Sequence, residues 1–261
     1  MFSTHSLSIG YIRKDKKIIV QRDLNLQLNG GELVCLIGPN GSGKSTLLRT
    51  LSGLQPPLAG QVLIDDDDIF SLSVSQKALR LAMVLTERVD IENTTVKQIV
   101  AMGRQPHTSW WGKISKEEEK KVDNALQLVN LQDFKDRFIN ELSDGERQRA
   151  IIARALAQET PHIFLDEPTA HLDLPNRIEI MLLLSHLAHN AGKAILLSTH
   201  ELEVALQVAD RIWLLSNELP VQIGTPTELI TSGSFERVFA SKNYSFNRNN
   251  EYFIELNNFK F

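Results

Sequence analysis

The sequence is poor in cysteine, has no long apolar run and carries no excess of positive charge. One cysteine, Cys35, among 261 residues excludes internal disulfides and any zinc site built from several cysteines. No apolar run approaches the roughly 18 residues that a membrane-spanning helix needs, and no basic segment leads into an apolar stretch as in a signal peptide. The net charge of -4 offers no electrostatic attraction to nucleic acid. We therefore expect a cytoplasmic protein without a nucleic-acid partner.

The order of strand-like and helix-like patterns predicts the fold class. Leu33–Ile37 is a continuous apolar run, which is typical of a strand buried on both faces. Similar runs at residues 163–165, 194–197 and 212–215 are separated by helical patterns, such as the period near 3.6 residues across 178–187. Strands that alternate with helices predict an α/β fold with a mostly parallel sheet and helices on both sides.

Three other regions have patterns of their own. Residues 7–28 alternate apolar and polar side chains, which predicts half-buried strands. Residues 96–158 are more polar and helical in pattern. Residues 65–68 are four adjacent aspartates, which form either a metal site or a solvated turn. We favour the turn, because neighbouring residues of a strand point to opposite faces.

A complete Gly-x-x-x-x-Gly-Lys-Ser/Thr pattern lies between the first buried strand and a helical pattern. Its glycines let successive backbone amides point at phosphate oxygens, and the following helix N-terminus adds its positive dipole. Lys44 would contact the β- and γ-phosphates, and the Ser45 hydroxyl would bind Mg²⁺. The predicted nucleotide-binding residues are Gly38, Pro39, Asn40, Gly41, Ser42, Gly43, Lys44, Ser45 and Thr46.

Three polar residues at the ends of buried strands are candidates for catalysis. Asp166 follows the run at 163–165 and is placed to hold the magnesium ion through water. Glu167 would act as the general base, a role worth roughly 10²- to 10⁴-fold in rate. His200 follows the run at 194–197, where a polar side chain faces the ligand crevice and can contact the γ-phosphate. Any one of these residues alone would be interpreted as structural. Because they follow a phosphate loop, we favour the functional interpretation.

Residues 142–149 resemble the LSGGQ-type signature of ABC ATPases, and the other motifs follow in that family's order. The resemblance covers roughly residues 7–239. It implies a P-loop NTPase core with an antiparallel β subdomain and an inserted helical subdomain. As a single ABC ATPase domain spanning 1–261, the chain would divide into a nucleotide-binding core with the β subdomain (1–85 and 160–240), a helical subdomain (87–159) and a tail (241–261).

The resemblance also implies how two copies share their sites. A head-to-tail homodimer would hold two ATP molecules, each between the phosphate loop of one copy and the signature of the other. The signature residues would be Ser143, Asp144, Gly145 and Glu146, with Ser143 and the Gly145 amide contacting the γ-phosphate. Asp173 would sit in the loop that links the two sites. Tyr11 matches the aromatic residue that stacks on adenine, although it also reads as a plain strand residue.

Residues 103–112 look like a segment of importers for iron-siderophore, haem and vitamin B12. The resemblance then implies a peripheral ATPase on the cytoplasmic face of the cell membrane. Its partners would be a separate permease and, indirectly, a substrate-binding protein. Trp110 and Trp111 either touch the permease or pack in the helical subdomain. The direction of transport rests on the resemblance alone.

Other functions remain open at this point. They are an importer of another cargo, such as a metal oxyanion, a non-transport ABC ATPase, and a different phosphate-loop enzyme such as a kinase or GTPase. The signature-like segment argues against the last, and the chain has no guanine-reading Asn-Lys-x-Asp element.

Two positions depart from the family pattern. Asp144 replaces the first signature glycine and Glu146 replaces the last glutamine. Asp144 is expected to tolerate a left-handed backbone, and its charge would have to point away from the phosphates. Thr86 stands where the family has a glutamine that helps to bind Mg²⁺, so either Thr86 acts through a bridging water or Glu87 takes the role.

Overall fold

The computed structural model describes residues 1–14, 16–86, 93–108, 115–239, 244–246 and 254–256, the last two ranges by backbone alone. The described strands are β1 (Phe2–Arg13), β2 (Lys16–Leu24), β3 (Gln27–Leu28), β4 (Leu33–Ile37), β5 (Ala59–Ile64), β6 (Asp67–Asp68), β7 (Leu81–Val84), β8 (His162–Asp166), β9 (Ala194–Ser198), β10 (Arg211–Leu214), β11 (Gln222–Gly224), β12 (Tyr244–Phe246) and β13 (Ile254–Leu256). The described α-helices are α1 (Lys44–Leu51), α2 (Val74–Ala78), α3 (Val96–Ala101), α4 (Lys116–Leu128), α5 (Asp144–Ala157), α6 (Leu174–Ala191), α7 (Leu202–Val208), α8 (Pro226–Thr231) and α9 (Ser234–Phe239).

A six-stranded sheet with the order β11-β10-β4-β9-β8-β7 carries the centre of the fold. Its strands pair in parallel except for β10 with β11, which is antiparallel. The carboxyl ends of β4, β8 and β9 therefore lie side by side at one edge. The predicted mostly parallel sheet is confirmed, and the predicted strand at Leu33–Ile37 has the observed bounds.

A second sheet is antiparallel and has the order β2-β1-β5-β6, with β3 also paired to β1. Side chains of β4 alternate between two cores, which explains why all five of its residues are buried. Val34 and Leu36 pack with the antiparallel sheet and α1, whereas Leu33, Cys35 and Ile37 pack on the helical side. Full burial of a side chain such as Leu36 contributes about 1.5–3 kcal/mol. β12 and β13 pair with each other in a separate ribbon.

Helices α3, α4 and α5 follow β7 and precede β8 in the chain, and they pack on one another. Arg104, in the 3₁₀ turn Met102–His107, is fully buried there. It pairs with Glu118 of α4 and, at 2.9 Å, with Glu159 beyond α5. A buried cation requires such partners. Arg104 belongs to residues 103–112, the segment that looks like one of importers, and its ion pairs link this segment to α4 and to the residues after α5. Trp110 and Trp111 lie outside the described residues.

The predicted turn among the four aspartates at residues 65–68 is formed by Asp65 and Asp66, and the other two aspartates form β6. Asp65 and Asp66 take positive φ angles of 50° and 67° between β5 and β6. Asp65 accepts a hydrogen bond from the N-terminal amine at 2.7 Å, and Asp67 accepts one from Arg80 at 2.7 Å. Asp65 and Asp67 thus each have a cationic partner.

Cys35 lies in the middle of β4 and is fully buried. Burial, and to a lesser extent the charge of Asp210, raises the pKa of its thiol. Because the thiolate is the reactive form, we expect no reaction with an aromatic disulfide reagent in the native protein and one equivalent in concentrated guanidinium chloride. Absorbance of the released thiolate measures this. Complete labelling of the native chain within minutes would contradict the burial.

No helix within the described parts of the chain is both long enough and apolar enough to cross a bilayer.

Candidate functional site

The phosphate-loop sequence connects β4 to α1, as its pattern predicts. Gly43 is the residue before α1 and has a φ of 99°, a conformation that L side chains rarely adopt. A Cβ atom there would also lie 2.4 Å from Val20 Cγ1, and one at Gly38 would lie 2.6 Å from the Leu215 carbonyl oxygen. Gly43 is therefore required by backbone shape as well as by space, and Gly38 by space alone.

Lys44 begins α1 and points back across the loop. Its ammonium group donates hydrogen bonds to the carbonyl oxygens of Gly38 at 2.8 Å and of Pro39 at 3.3 Å. The residue is 6% exposed. Burial lowers the pKa of Lys44, and the nearby carboxylates of Glu167 and Asp166 oppose that shift. The ammonium group is thus buried among oxygen atoms at the place where phosphates would enter the loop.

Gln21, on β2, holds the loop from behind. Its side-chain amide donates to the carbonyl oxygens of Ser42, at 3.0 Å, and Ser216, at 2.6 Å. The Ser42 hydroxyl is buried and has no hydrogen-bond partner within the described protein. A buried hydroxyl without a partner is costly, and this cost lies within the loop itself. Sequence reasoning missed Gln21, because nothing local links β2 to the loop.

Ser45 and Asp166 form an oxygen pair suited to a magnesium ion. The Ser45 hydroxyl donates to Asp166 Oδ1 at 3.2 Å, and Asp166 is 6% exposed. Mg²⁺ takes octahedral oxygen ligands at about 2.0–2.1 Å, which places neighbouring ligands about 3 Å apart, and it keeps several waters. No cluster of three or more His, Cys, Asp or Glu side chains occurs among the residues with described positions. The donor set here fits magnesium bound with substrate phosphates.

Glu167 and His200 meet at the carboxyl ends of β8 and β9. His200 Nε2 and Glu167 Oε1 lie 2.5 Å apart. Glu167 has a φ of 49°, in the left-handed region that costs about 1–2 kcal/mol for a residue with a side chain. Such strain at a strand end is typical of residues whose side chain must be aimed. A carboxylate aimed in this way can accept a proton from a water molecule.

These residues open onto a cavity of about 340 Å³. Its walls come from the hairpin of β1 and β2, the phosphate loop with α1, and the ends of β8 and β9, and they consist of Tyr11, Val20, Asn40, Gly41, Gly43, Lys44, Ser45, Thr46, Glu167 and His200. Tyr11 is 50% exposed and lines the cavity. The structure thus brings Tyr11 to the loop from the other sheet.

The signature-like segment lies elsewhere and does not line this cavity. Ser143 caps α5, and its hydroxyl accepts a hydrogen bond from the Glu146 amide at 3.3 Å. In return, the Ser143 amide donates a hydrogen bond to a carboxylate oxygen of Glu146 at 2.8 Å. The Ser143 hydroxyl also donates to the Glu146 carboxylate at 2.7 Å, and this bond, followed by the one from the Ser143 amide, lowers the pKa of Glu146. Glutamate at this position completes a capping box, a role that glutamine would fill as well, so the cap does not explain the replacement of glutamine.

Asp144 differs from the sequence expectation. It lies in the first helical turn of α5 rather than in a left-handed loop, and it pairs with Arg147 at 3.5 Å. An acidic residue in the first turn of a helix is favoured by the helix dipole. Asp144 therefore does not use the left-handed backbone that it was expected to tolerate, and the local reason for the aspartate is helical.

Asp173 and Gly145 are connected through one side chain. Asp173 caps α6 and accepts hydrogen bonds from the Asn176 amide at 3.1 Å and from its side chain at 2.6 Å. A Cβ atom at Gly145 would lie 2.4 Å from Asn176 Oδ1. The start of α5 therefore packs closely against the Asn176 side chain, which is itself bonded to Asp173.

Thr86 does not line the large cavity either. Its hydroxyl donates to the backbone carbonyl oxygen of Asp166 at 2.8 Å. Glu87, the alternative to Thr86, lies outside the described residues. Together the groups at the large cavity can bind a triphosphate, hold a divalent cation and direct a water molecule at the terminal phosphate.

Comparisons with known proteins agree with this chemistry. The sequence model of the family described as ABC transporter matches residues 21–170. An uncharacterized ABC transporter ATP-binding protein of Methanocaldococcus jannaschii is 38% identical over 258 residues, which are 99% of this chain and 88% of the relative. A Bacillus subtilis ATP-binding protein assigned to a siderophore transport system is 39% identical over 238 residues, which are 91% of this chain and 85% of the relative.

Two solved structures are similar over most of the chain. One is the inward-facing conformation of an ABC transporter assigned to the metal-chelate type, with a TM-score of 0.81, 26% identity, and coverage of 98% of this chain and 97% of that chain. The other is a dimeric ATP-binding cassette in a post-hydrolysis state with ADP and phosphate, with a TM-score of 0.73, 30% identity, and coverage of 87% of this chain and 99% of that chain.

Proposed function

Since the chain belongs to the ABC transporter family and is an ATP-hydrolysing cassette of that family, we propose that it powers uptake of a metal chelate through a separate membrane permease. The observation that carries the proposal is the cavity in which Lys44 and Ser45, after β4, meet Glu167, after β8, at the same edge of the sheet. A triphosphate there would meet the buried ammonium group of Lys44 on one side. On the other side it would meet the carboxylate of Glu167, whose backbone is strained.

We assign the following roles to the site residues. The phosphate loop and Lys44 bind the β- and γ-phosphates, and Tyr11 stacks on adenine. Ser45, and Asp166 through water, hold Mg²⁺, which supplies neutralisation of the phosphate charge when it is bound. Glu167 accepts a proton from the attacking water. His200 contacts both the Glu167 carboxylate and the γ-phosphate, so it holds the base in the presence of nucleotide.

We further propose that a second copy completes each site. Ser143 and the Gly145 amide lie at the start of α5, away from the cavity of their own chain. In a head-to-tail homodimer, they would face the γ-phosphate held by the partner. The dimeric cassette with 30% identity supports this arrangement. Residues 1–85 and 160–240 would form the nucleotide-binding core, residues 87–159 the helical part next to the permease, and residues 241–261 a tail.

The cargo proposal rests on the relatives. The siderophore assignment of the Bacillus subtilis relative and the metal-chelate type of the similar transporter favour a chelate such as an iron-siderophore, haem or a cobalamin. A substrate-binding protein would deliver that chelate to the permease. The chain itself would work as a peripheral protein on the cytoplasmic face of the membrane.

Reconstitution tests this proposal. The chain is isolated with its permease from detergent-solubilised membranes and placed in proteoliposomes. We expect ATP-dependent accumulation of a labelled ferric siderophore, haem or cobalamin, and none of molybdate. Accumulation of the oxyanion in place of a chelate would refute the cargo assignment. Isolation without any polytopic membrane protein would refute the transport role.

A further inference from the structure

The peptide unit that joins Asp166 to Glu167 is held from both sides by side-chain hydroxyl groups. On one side, Thr86 Oγ1 donates to the Asp166 carbonyl oxygen at 2.8 Å. On the other, the Glu167 amide donates to Ser198 Oγ at 2.9 Å. Ser198 is fully buried, and its own proton goes to Asp166 Oδ1 at 2.6 Å. Both polar groups of this one peptide therefore have fixed partners.

The sheet explains why hydroxyl groups are needed at this point. β8 lies between β7 and β9, and its register with β7 ends at Val84 and Leu165. The Asp166 carbonyl lies one residue beyond that last pair. Thr86 follows β7 by two residues, so its side chain supplies a donor where the ladder of backbone hydrogen bonds has ended.

The orientation of this peptide sets the direction of Glu167. Glu167 has a left-handed φ of 49°, and its carboxylate reaches His200 at 2.5 Å. Rotation of the peptide about its two flanking bonds would swing the carboxylate across the cavity. A loss of 1 Å in the placement of a reacting group can cost roughly 10²-fold in rate. A bond that prevents this rotation therefore affects hydrolysis without touching nucleotide.

Thr86 does not line the large cavity, in which the nucleotide would bind. It lines a small cavity of about 50 Å³, and Glu167 lines both this cavity and the large one. The single hydroxyl proton of Thr86 is given to the Asp166 carbonyl. By contrast, the Ser45 hydroxyl points at the Asp166 carboxylate, where the cation would bind.

We propose that Thr86 is a positioning residue for ATP hydrolysis, acting through the Asp166–Glu167 peptide to aim the Glu167 carboxylate. This inference rests on the proposed role of Glu167 as the base. It assigns Thr86 a function other than the magnesium ligation expected from the sequence.

Substitutions at Thr86 test the proposal on the purified chain. Thr86→Val keeps the shape and removes the donor, so we expect kcat to fall roughly 5- to 10-fold, the range that one net hydrogen bond supplies. The KM for ATP, and the affinity for a fluorescent ATP analogue with and without Mg²⁺, should stay within about two-fold. Thr86→Ser keeps the donor and should recover most of the lost rate.

Thr160→Val is a matched control at the opposite end of β8. The Thr160 hydroxyl also donates to a carbonyl oxygen, that of His162, at 2.8 Å, and it is buried. Its removal should lower the thermal unfolding temperature and leave kcat unchanged. Thr86 is exposed, so water can replace its bond without fixing the peptide. Thr86→Val should therefore show the reverse pattern, with a lower kcat and little change in unfolding temperature.

A double-variant cycle separates action through Glu167 from independent action. In a Glu167→Gln background, Thr86→Val should change the residual single-turnover rate by less than about two-fold. An undiminished 5- to 10-fold effect there would overturn the proposal. So would a higher Mg²⁺ concentration for half-maximal rate, which would make Thr86 a metal ligand. If Glu167→Gln is inactive and Thr86→Val is normal, only this inference fails, whereas an inactive wild-type chain ends the proposed function too.

Discussion

Glu167→Gln is expected to lower kcat for ATP hydrolysis by roughly 10²- to 10⁴-fold, the worth of a positioned general base. Glutamine keeps the size of the side chain and its contact with His200, but it cannot accept a proton from water. Glu167 touches neither Lys44 nor Ser45 through a hydrogen bond of the described structure. Nucleotide affinity should therefore change little, and ATP should accumulate in a stable dimer. Phosphate release and size-exclusion chromatography with ATP measure the two effects.

Glu203→Gln provides a matched control for this change. Glu203 is exposed in the first turn of α7, close in sequence to His200 but outside the cavity. Its replacement removes the same charge from the same end of the sheet and should leave kcat unchanged. Normal turnover of Glu167→Gln would remove Glu167 from the role of base. An equal loss in both variants would point to net charge instead.

Lys44→Ala is expected to weaken nucleotide binding by roughly 10- to 100-fold, as is usual for a lost hydrogen bond to a charged group. The Lys44 ammonium group is buried over the loop and donates to two of its carbonyl oxygens. Triphosphate oxygens would take these donors over. Without the cation, the Asp166 and Glu167 carboxylates would repel the phosphates with no compensating charge. Equilibrium binding of a fluorescent ATP analogue measures the loss.

Lys193→Ala is the matched control for Lys44. The Lys193 ammonium group also donates to a backbone carbonyl oxygen, that of Thr160 at 2.7 Å, and burial lowers its pKa as well. It lies at the amino ends of the strands, away from the cavity. This variant should lose stability and keep its nucleotide affinity. If Lys44→Ala bound the analogue normally, the loop would not be the phosphate site.

Much of the fold was readable because short-range rules decide it. The run Leu33–Ile37 has no polar residue and is buried on both faces, so its place in the centre of a parallel sheet follows from composition alone. The phosphate loop is a local pattern whose glycines are required by backbone geometry within a few residues. Asp166 and Glu167 follow a buried strand directly, so their exit at the edge of the sheet was predictable.

The order of the strands was beyond such rules. β4 lies between β9 and β10, which are far from it in the chain, and β8 separates β9 from β7. Gln21 reaches the loop and Ser216 across this arrangement, at sequence separations of 21 and 195 residues. Composition and periodicity carry no information on such pairings.

By itself, the sequence determined the phosphate loop, the buried strands and the carboxylates at their ends, because backbone conformation and hydrophobic period act over a few residues. Tertiary structure alone decided what Thr86 and Gln21 do. Thr86 donates to the Asp166 carbonyl oxygen from 80 positions away, and Gln21 donates to the Ser216 carbonyl oxygen from 195 positions away. The physical reason is that a hydrogen bond depends on which strands lie side by side, and that order is set by packing of the whole chain.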